Sequence, residues 1–125
     1  MSERVKYTIE FPLRAKPELI YNYVSTPSGL SEWFADDVNI NGQNFLFYWN
    51  GDEERAEVAR KKPNKLIRYE WLDREDEYLT FEIEVDDLTG DTSLIITYFD
   101  DEEELEEAKL MWEAAIDQLK GTIGG

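Results

Sequence analysis

The sequence contains neither cysteine nor histidine. Without cysteine the chain has no disulfide, no thiol nucleophile and no thiolate ligand for a metal ion. Without histidine it lacks the side chain that most often serves as a general base, proton shuttle or metal ligand. Most familiar catalytic arrangements are therefore excluded, and we expect no catalytic residues, no metal site and no cofactor.

Long hydrophobic runs are also missing, so the sequence predicts no membrane insertion. The N-terminal residues alternate between polar and apolar side chains and contain no apolar stretch of signal-peptide length. From these two features we expect a cytoplasmic protein.

Positive charge is scarce, with 13 basic against 29 acidic side chains and a net charge of −16. Such a surplus repels the phosphate backbone of nucleic acids and anionic membrane surfaces, so neither is an expected partner. Solubility is the simplest explanation of the charge, and a basic protein partner is the alternative.

Aromatic residues, by contrast, are abundant. They make up 14% of a chain of 125 residues that is 42% hydrophobic, whereas a disordered acidic chain would be poor in aromatics. A chain of this length buries about two-thirds of its unfolded surface, which is enough for one core. We therefore predict a single domain over residues 1–125 with an aromatic interior.

The clearest predicted element is a C-terminal helix over residues 102–120. Three acidic residues lie at its start, where the helix dipole is positive, and Gly121 is expected to end it. A helix of this length spans roughly 28 Å and needs a broad apolar partner. The apolar residues that recur at three- and four-residue steps are Leu105, Ala108, Trp112, Ala115, Ile116 and Leu119.

Ahead of this helix, the sequence predicts one strand, two short helices and about six further strands. Residues 5–11 alternate with the period of a half-buried strand, and Pro12 is expected to end their regular pairing. The first short helix opens at Pro17, and the second covers residues 26–34. The later strands are separated by short turns, which implies an antiparallel meander.

This order predicts an α+β helix-grip fold. A curved antiparallel sheet of six or seven strands wraps around the long C-terminal helix, and two short helices follow the first strand. No other predicted helix is long enough to cover the apolar face of such a sheet.

Three short motifs resemble those of the START-like (SRPBCC, Bet v 1-like) superfamily, and within it the family similar to the C-terminal domain of the Hsp90 co-chaperone activator Aha1. Residues 26–38 resemble its Thr-Pro…Leu…Trp-Phe signature, residues 42–45 its Gly-x-x-Phe and residues 63–66 its Pro-x-x-Leu turn. The resemblance implies a cavity between the long helix and the sheet that holds a hydrophobic or amphipathic ligand.

Alternation places the rings of several predicted strands on one face, directed at the long helix. For any single ring, core packing is the better explanation, but a sheet curved around one helix also leaves space that rings can line. The candidate ligand-binding residues are Trp33, Phe34, Phe47, Trp49, Tyr69, Trp71, Phe81, Met111 and Trp112.

Carboxylates near the predicted cavity mouth are a weaker signal. Glu32, Asp36 and Asp37 could form an acid–base pair or bind a cation, but solvation of a loop explains them more simply.

Three functions are compatible with these features. The favoured one is non-enzymatic binding of a small hydrophobic molecule, such as a lipid or aromatic metabolite. The alternatives are a protein-interaction module of the Hsp90 co-chaperone activator type, with a packed interior, and an enzyme similar to polyketide cyclases. An exposed sheet edge permits either a monomer or a homodimer.

Overall fold

The computed structural model describes residues 3–124, so the ends of the predicted domain, residues 1, 2 and 125, lie outside the described part. The element order confirms the predicted fold class. The strands are β1 (Arg4–Leu13), β2 (Asp37–Asn41), β3 (Asn44–Trp49), β4 (Asp52–Lys62), β5 (Leu66–Trp71), β6 (Tyr78–Val85) and β7 (Thr92–Asp101). The α-helices are α1 (Pro17–Ser25), α2 (Pro27–Ser31) and α3 (Leu105–Ile123), the last preceded by a 3₁₀ turn at Glu102–Glu104.

The seven strands form one antiparallel sheet in the order β1-β7-β6-β5-β4-β3-β2. Strands β2 to β7 make a simple meander, because each pairs with its neighbour in the chain. The turn between β3 and β4 has positive φ at both Asn50 (51°) and Gly51 (85°), which matches the twist of a two-residue hairpin. Strand β1 pairs with β7 at the far end, so β1 and β2 are the two sheet edges.

The prediction that Pro12 ends regular pairing is wrong. The register of β1 with β7 continues past Pro12, which faces Ser93, to Leu13 opposite Thr92. The physical reason is that β1 is an edge strand. On the outer side of an edge strand the N–H groups have no neighbouring strand to bond. Proline, which has no N–H, therefore fits there without the loss of a hydrogen bond.

Two predicted helix ends also differ from the structure. The predicted stop at Gly121 is wrong, because α3 continues to Ile123 and ends at Gly124, whose φ is 76° and whose N–H donates to the Lys120 carbonyl. One glycine inside a helix costs only about 1 kcal/mol of helix stability relative to alanine. The packing of Ile123 against the core offsets this cost. The second short helix is shorter than the predicted residues 26–34 and ends at Ser31.

Close contact between α1 and α2 depends on Gly29. A Cβ atom at this position would lie 2.5 Å from the carbonyl oxygen of Asn22 and 2.7 Å from Cα of Tyr23, both of which are backbone atoms that cannot move independently. Thr26 caps α2 by accepting a hydrogen bond from the Gly29 N–H at 3.0 Å. These contacts fix the path of the chain toward the residues that follow α2.

The core lies between α3 and the inner face of the sheet. Buried residues alternate along the strands as predicted, so every second side chain points inward. They include Phe45, Phe47, Ile67, Tyr69, Leu79, Phe81, Leu94, Ile96 and, from the helix, Ala108, Ile116 and Leu119. Among residues 3–124, no helix has the length and apolarity needed to cross a membrane.

An ion pair fastens β1 to the loop between β5 and β6. The Arg4 guanidinium donates two hydrogen bonds to the Glu77 carboxylate, at 3.0 and 2.7 Å. Arg4 also lies 3.8 Å from carboxylate oxygens of Asp100 and Asp101. The hydrogen bond and charge of Arg4 hold the pKa of Glu77 below its usual value.

Replacing Glu77 by glutamine is expected to lower the free energy of unfolding by about 0.5–1 kcal/mol near neutral pH. Because the folded-state pKa is lowered, the contribution of the pair is present above the ordinary glutamate pKa of 4.5 and is lost as the pH falls through the folded value. Urea denaturation of both proteins across this range measures the difference. Glu57→Gln, at an exposed position of β4, controls for the relief of charge repulsion, and a pH-independent difference would contradict the assignment.

Candidate functional site

A cavity of about 550 Å³ lies between α3 and the inner face of the sheet, within the volume range of small-molecule sites. Strands β3 to β7, the turn after α2 and the middle of α3 contribute to its wall. The apolar part of the wall consists of Phe34, Trp49, Trp71, Leu79, Tyr98, Phe99, Ala108, Met111, Trp112 and Ala115. The polar part consists of Asn50, Asp52, Glu54, Arg74 and Asp100.

Exposure separates the base of the cavity from its mouth. Leu79 and Ala108 are buried at the base, whereas Asn50, Asp52 and Met111 are exposed at the mouth. Tyr98 is also buried, and its burial, together with nearby Asp100 and Tyr7, raises the pKa of its hydroxyl. The cavity therefore has an apolar base and a polar opening.

Phe34 is the centre of the aromatic cluster. Its position is set by the turn after α2, in which the Phe34 N–H donates to the Leu30 carbonyl at 2.9 Å. It stacks on Trp112 of α3 with an interplanar angle of 22° and meets the other rings mostly edge to face. Its ring neighbours, with centroids 5.3–5.8 Å away, are Trp33, Phe47, Trp49, Phe81 and Trp112.

Three rings of this cluster are also held by hydrogen bonds to the backbone. The indole N–H of Trp33 donates to the Tyr23 carbonyl at 2.8 Å, and that of Trp49 donates to the Phe34 carbonyl at 2.9 Å. The Tyr69 hydroxyl donates to the Val24 carbonyl at 2.7 Å, and burial raises its pKa. These bonds fix ring orientations, so the cavity wall is preorganised.

Charged side chains surround the mouth. Glu54 accepts a 2.6 Å hydrogen bond from Arg74, whose guanidinium also lies over the Trp71 ring, 4.7 Å from its centroid. Asp52 belongs to the same face of β4 as Glu54, and Asp100 follows Tyr98 on the inner face of β7. Aromatic rings and charges of both signs therefore meet at the opening.

Five of the nine predicted ligand-binding residues line this cavity, namely Phe34, Trp49, Trp71, Met111 and Trp112. The other four, Trp33, Phe47, Tyr69 and Phe81, are buried in the core. Trp33, Phe47 and Phe81 contact rings of the wall, whereas Tyr69 contacts Phe47 and Phe81 instead. Met111 is at the rim and 69% exposed.

The nine candidate residues do not include several residues of the wall. Tyr98 is detectable from the sequence, because it alternates with the buried Leu94 and Ile96 along β7. Arg74 is not, because it lies in the irregular loop between β5 and β6, where the sequence carries no periodicity. The wall residues outside the nine candidates also include Asp52, Glu54 and Asp100.

Two of the three carboxylates considered near the mouth, Asp36 and Asp37, accept hydrogen bonds from the backbone. Asp36 accepts from the Asn50 N–H at 2.7 Å, and Asp37 accepts from the Val38 N–H at 2.9 Å. Within residues 3–124, no cluster of three or more potential ligands from His, Cys, Asp and Glu could hold a metal ion.

Comparisons with known proteins agree with this architecture. The sequence model of the START-like superfamily domain matches residues 1–125. No curated protein matches the chain significantly.

Solved structures provide further similarity. The solution structure of BfR322 from Bacteroides fragilis is 31% identical, covers 98% of this chain and 92% of its own, and superposes with a TM-score of 0.66. The Aha1 dimer from Colwellia psychrerythraea is 20% identical, with coverage of 95% and 96% and a TM-score of 0.78. Protein MLL2253 from Mesorhizobium loti is also 20% identical, with coverage of 94% and 95% and a TM-score of 0.76. The last two similarities concern the fold.

Truncating Phe34 to alanine is expected to lower the free energy of unfolding by about 2–4 kcal/mol, because the ring contacts five others. Met111→Ala is the comparison truncation, at the rim of the same cavity. It should change the free energy by about 0.5 kcal/mol or less, because Met111 is exposed. Chemical denaturation measures both values, and equal losses would contradict the central role of Phe34.

Proposed function

Because this chain belongs to the START-like superfamily, we propose that it binds a small hydrophobic or amphipathic molecule in the cavity between α3 and the sheet, without changing it chemically. The observation that carries this proposal is the cavity of about 550 Å³ with an apolar base and a polar mouth. The same feature argues against a domain whose interior is packed shut, which is what a pure protein-interaction module would have.

The geometry of the wall supports tight burial of an apolar ligand. Trp49 and Phe34 are fixed by hydrogen bonds and ring contacts before a ligand enters, so few side chains need to be ordered on binding. For a ligand of about 20 heavy atoms, roughly 0.3 kcal/mol per atom gives a binding free energy near −6 kcal/mol. That free energy corresponds to a dissociation constant of some tens of micromolar.

The distribution of polar groups favours binding over catalysis. A cyclase-like enzyme needs positioned polar groups around the reacting atoms at the cavity base, where Leu79 and Ala108 lie instead. The Tyr98 hydroxyl lines the cavity and can donate a hydrogen bond to a ligand. A cytoplasmic location and a monomer or homodimer remain predictions from the sequence.

The first test is native mass spectrometry of protein purified from cells, followed by extraction and identification of any bound small molecule. We expect a stoichiometric hydrophobic adduct. Uptake of the uncharged fluorescent dye Nile red into extracted protein gives a second readout, since an apolar aromatic cavity enhances its emission. An adduct-free mass together with no uptake of this uncharged dye or of a long-chain alcohol would contradict the proposal.

Two substitutions at adjacent positions of α3, which point to different sides of the helix, test whether the dye binds in the cavity. Ala115→Phe places a ring inside the wall and should weaken dye uptake by at least about tenfold, because it removes ligand volume. Ala114→Phe places the same ring on the exposed side of α3 and should leave uptake unchanged. Equal uptake by both variants would show that the dye binds elsewhere, and thermal denaturation confirms that both remain folded.

A further inference from the structure

The acidic residues of the cavity wall lie where an apolar residue is expected. On β4, the inner face carries Ala56, which is fully buried, and continues through Glu54 to Asp52 at the mouth. On β7, the inner face carries Tyr98 and, two residues later, Asp100. Both strands are internal to the sheet, so these charges do not serve to protect an edge.

Near the mouth, carboxylates outnumber arginines, and each arginine already pairs with a carboxylate. Arg74 is the cation of the wall, and its guanidinium is bonded to Glu54 at 2.6 Å. Nearby Arg4 makes its shortest contact with Glu77, at 2.7 Å, and lies farther from Asp100, at 3.8 Å. With Asp52 of the wall, these groups carry four negative and two positive charges, so an anionic ligand group would be repelled there.

One contact within the protein already demonstrates cation recognition by this wall. The Arg74 guanidinium lies over the face of Trp71, 4.7 Å from the ring centroid, while it bonds to a carboxylate. A positively charged group held between an aromatic face and an acidic oxygen is the usual arrangement for binding organic ammonium ions. Trp49 presents a second indole beside Asp52 in the same wall.

We infer that the ligand of this cavity is an amphipathic cation, with an apolar body against Phe34, Leu79 and Trp112 and a positively charged nitrogen among Asp52, Glu54 and Asp100. This inference rests on the proposed function, since it names the chemical class of the same ligand. The alternative is an amphipathic carboxylate paired with Arg74. It is disfavoured because such a ligand would have to displace Glu54 while facing the other two carboxylates.

Three probes with the same alkyl chain separate these possibilities: decyltrimethylammonium, decanol and decanoate, each used below its micelle concentration. Titrations followed by tryptophan fluorescence report on the site, because Trp49, Trp71 and Trp112 line the wall. We expect the ammonium probe to bind at least about tenfold more tightly than decanoate at about 0.15 M salt, where distant surface charges are largely screened.

Charge variants test whether the wall carboxylates cause this preference. The triple variant Asp52→Asn, Glu54→Gln, Asp100→Asn should lose the tenfold preference for the ammonium probe over decanoate. The matched control neutralises Glu10, Glu57 and Asp117, which are exposed outside the wall and give the same change in net charge. The control should keep the preference, because its charges are screened from the mouth.

The outcomes distinguish this inference from the proposed function. If none of the three probes binds, the proposed function fails and the inference fails with it. If decanol or decanoate binds as tightly as the ammonium probe, ligand binding stands and the cationic class is overturned. An equal loss of preference in the wall triple and its control would attribute the preference to overall charge, which also overturns the inference.

Arg74→Gln separates the two candidate head groups directly. Removing this guanidinium frees Glu54 and the face of Trp71, so the affinity for decyltrimethylammonium should rise by about threefold or more. A fall in decanoate affinity with no gain for the ammonium probe would instead identify Arg74 as the anchor of an anionic ligand.

Discussion

Hydrogen bonds between side chains and the last carbonyl groups of α1 hold the aromatic interior in place. The final carbonyls of a helix have no partner within the helix and must be satisfied elsewhere. Here the Asn22 carbonyl accepts from the Thr26 hydroxyl, the Tyr23 carbonyl from the Trp33 indole and the Val24 carbonyl from the Tyr69 hydroxyl. Satisfying one helix end therefore fixes two large rings, and the rest of the cluster packs against them.

The cavity follows from the geometry of this arrangement. Trp33 and Tyr69 belong to the packed core. Phe34, the next residue after Trp33 in the same turn, stacks on Trp112 of α3. Beyond Phe34, strands β4 and β7 carry carboxylates on their inner faces instead of apolar side chains. The space between α3 and the sheet consequently changes along its length. It begins as a packed core, continues as the aromatic cavity and ends at the charged mouth.

The sequence predicted the fold well because hydrophobic periodicity and turn residues are local signals. It also identified rings on the inner face, but not which of them line a cavity. Phe47 and Trp49 are two residues apart on the same face of β3, yet only the second lines the wall, because the outcome depends on where α3 separates from the sheet. Arg74 was unpredictable for a related reason, since its contact with Glu54 joins a loop to a strand 20 residues away.

The pairing of β1 with β7 has a consequence for how the protein is made. Leu13 pairs with Thr92 and Arg4 with Asp101, so strand β1 of this domain leaves the ribosome well before its partner β7. At a synthesis rate of about 5–20 residues per second, β7 is synthesised roughly 4–20 seconds after β1. During that interval, the hydrogen-bonding groups of β1 lack their partner strand. The meander from β2 to β6 can form during that interval, whereas completing the sheet requires a long-range pairing, a kind of contact that slows folding.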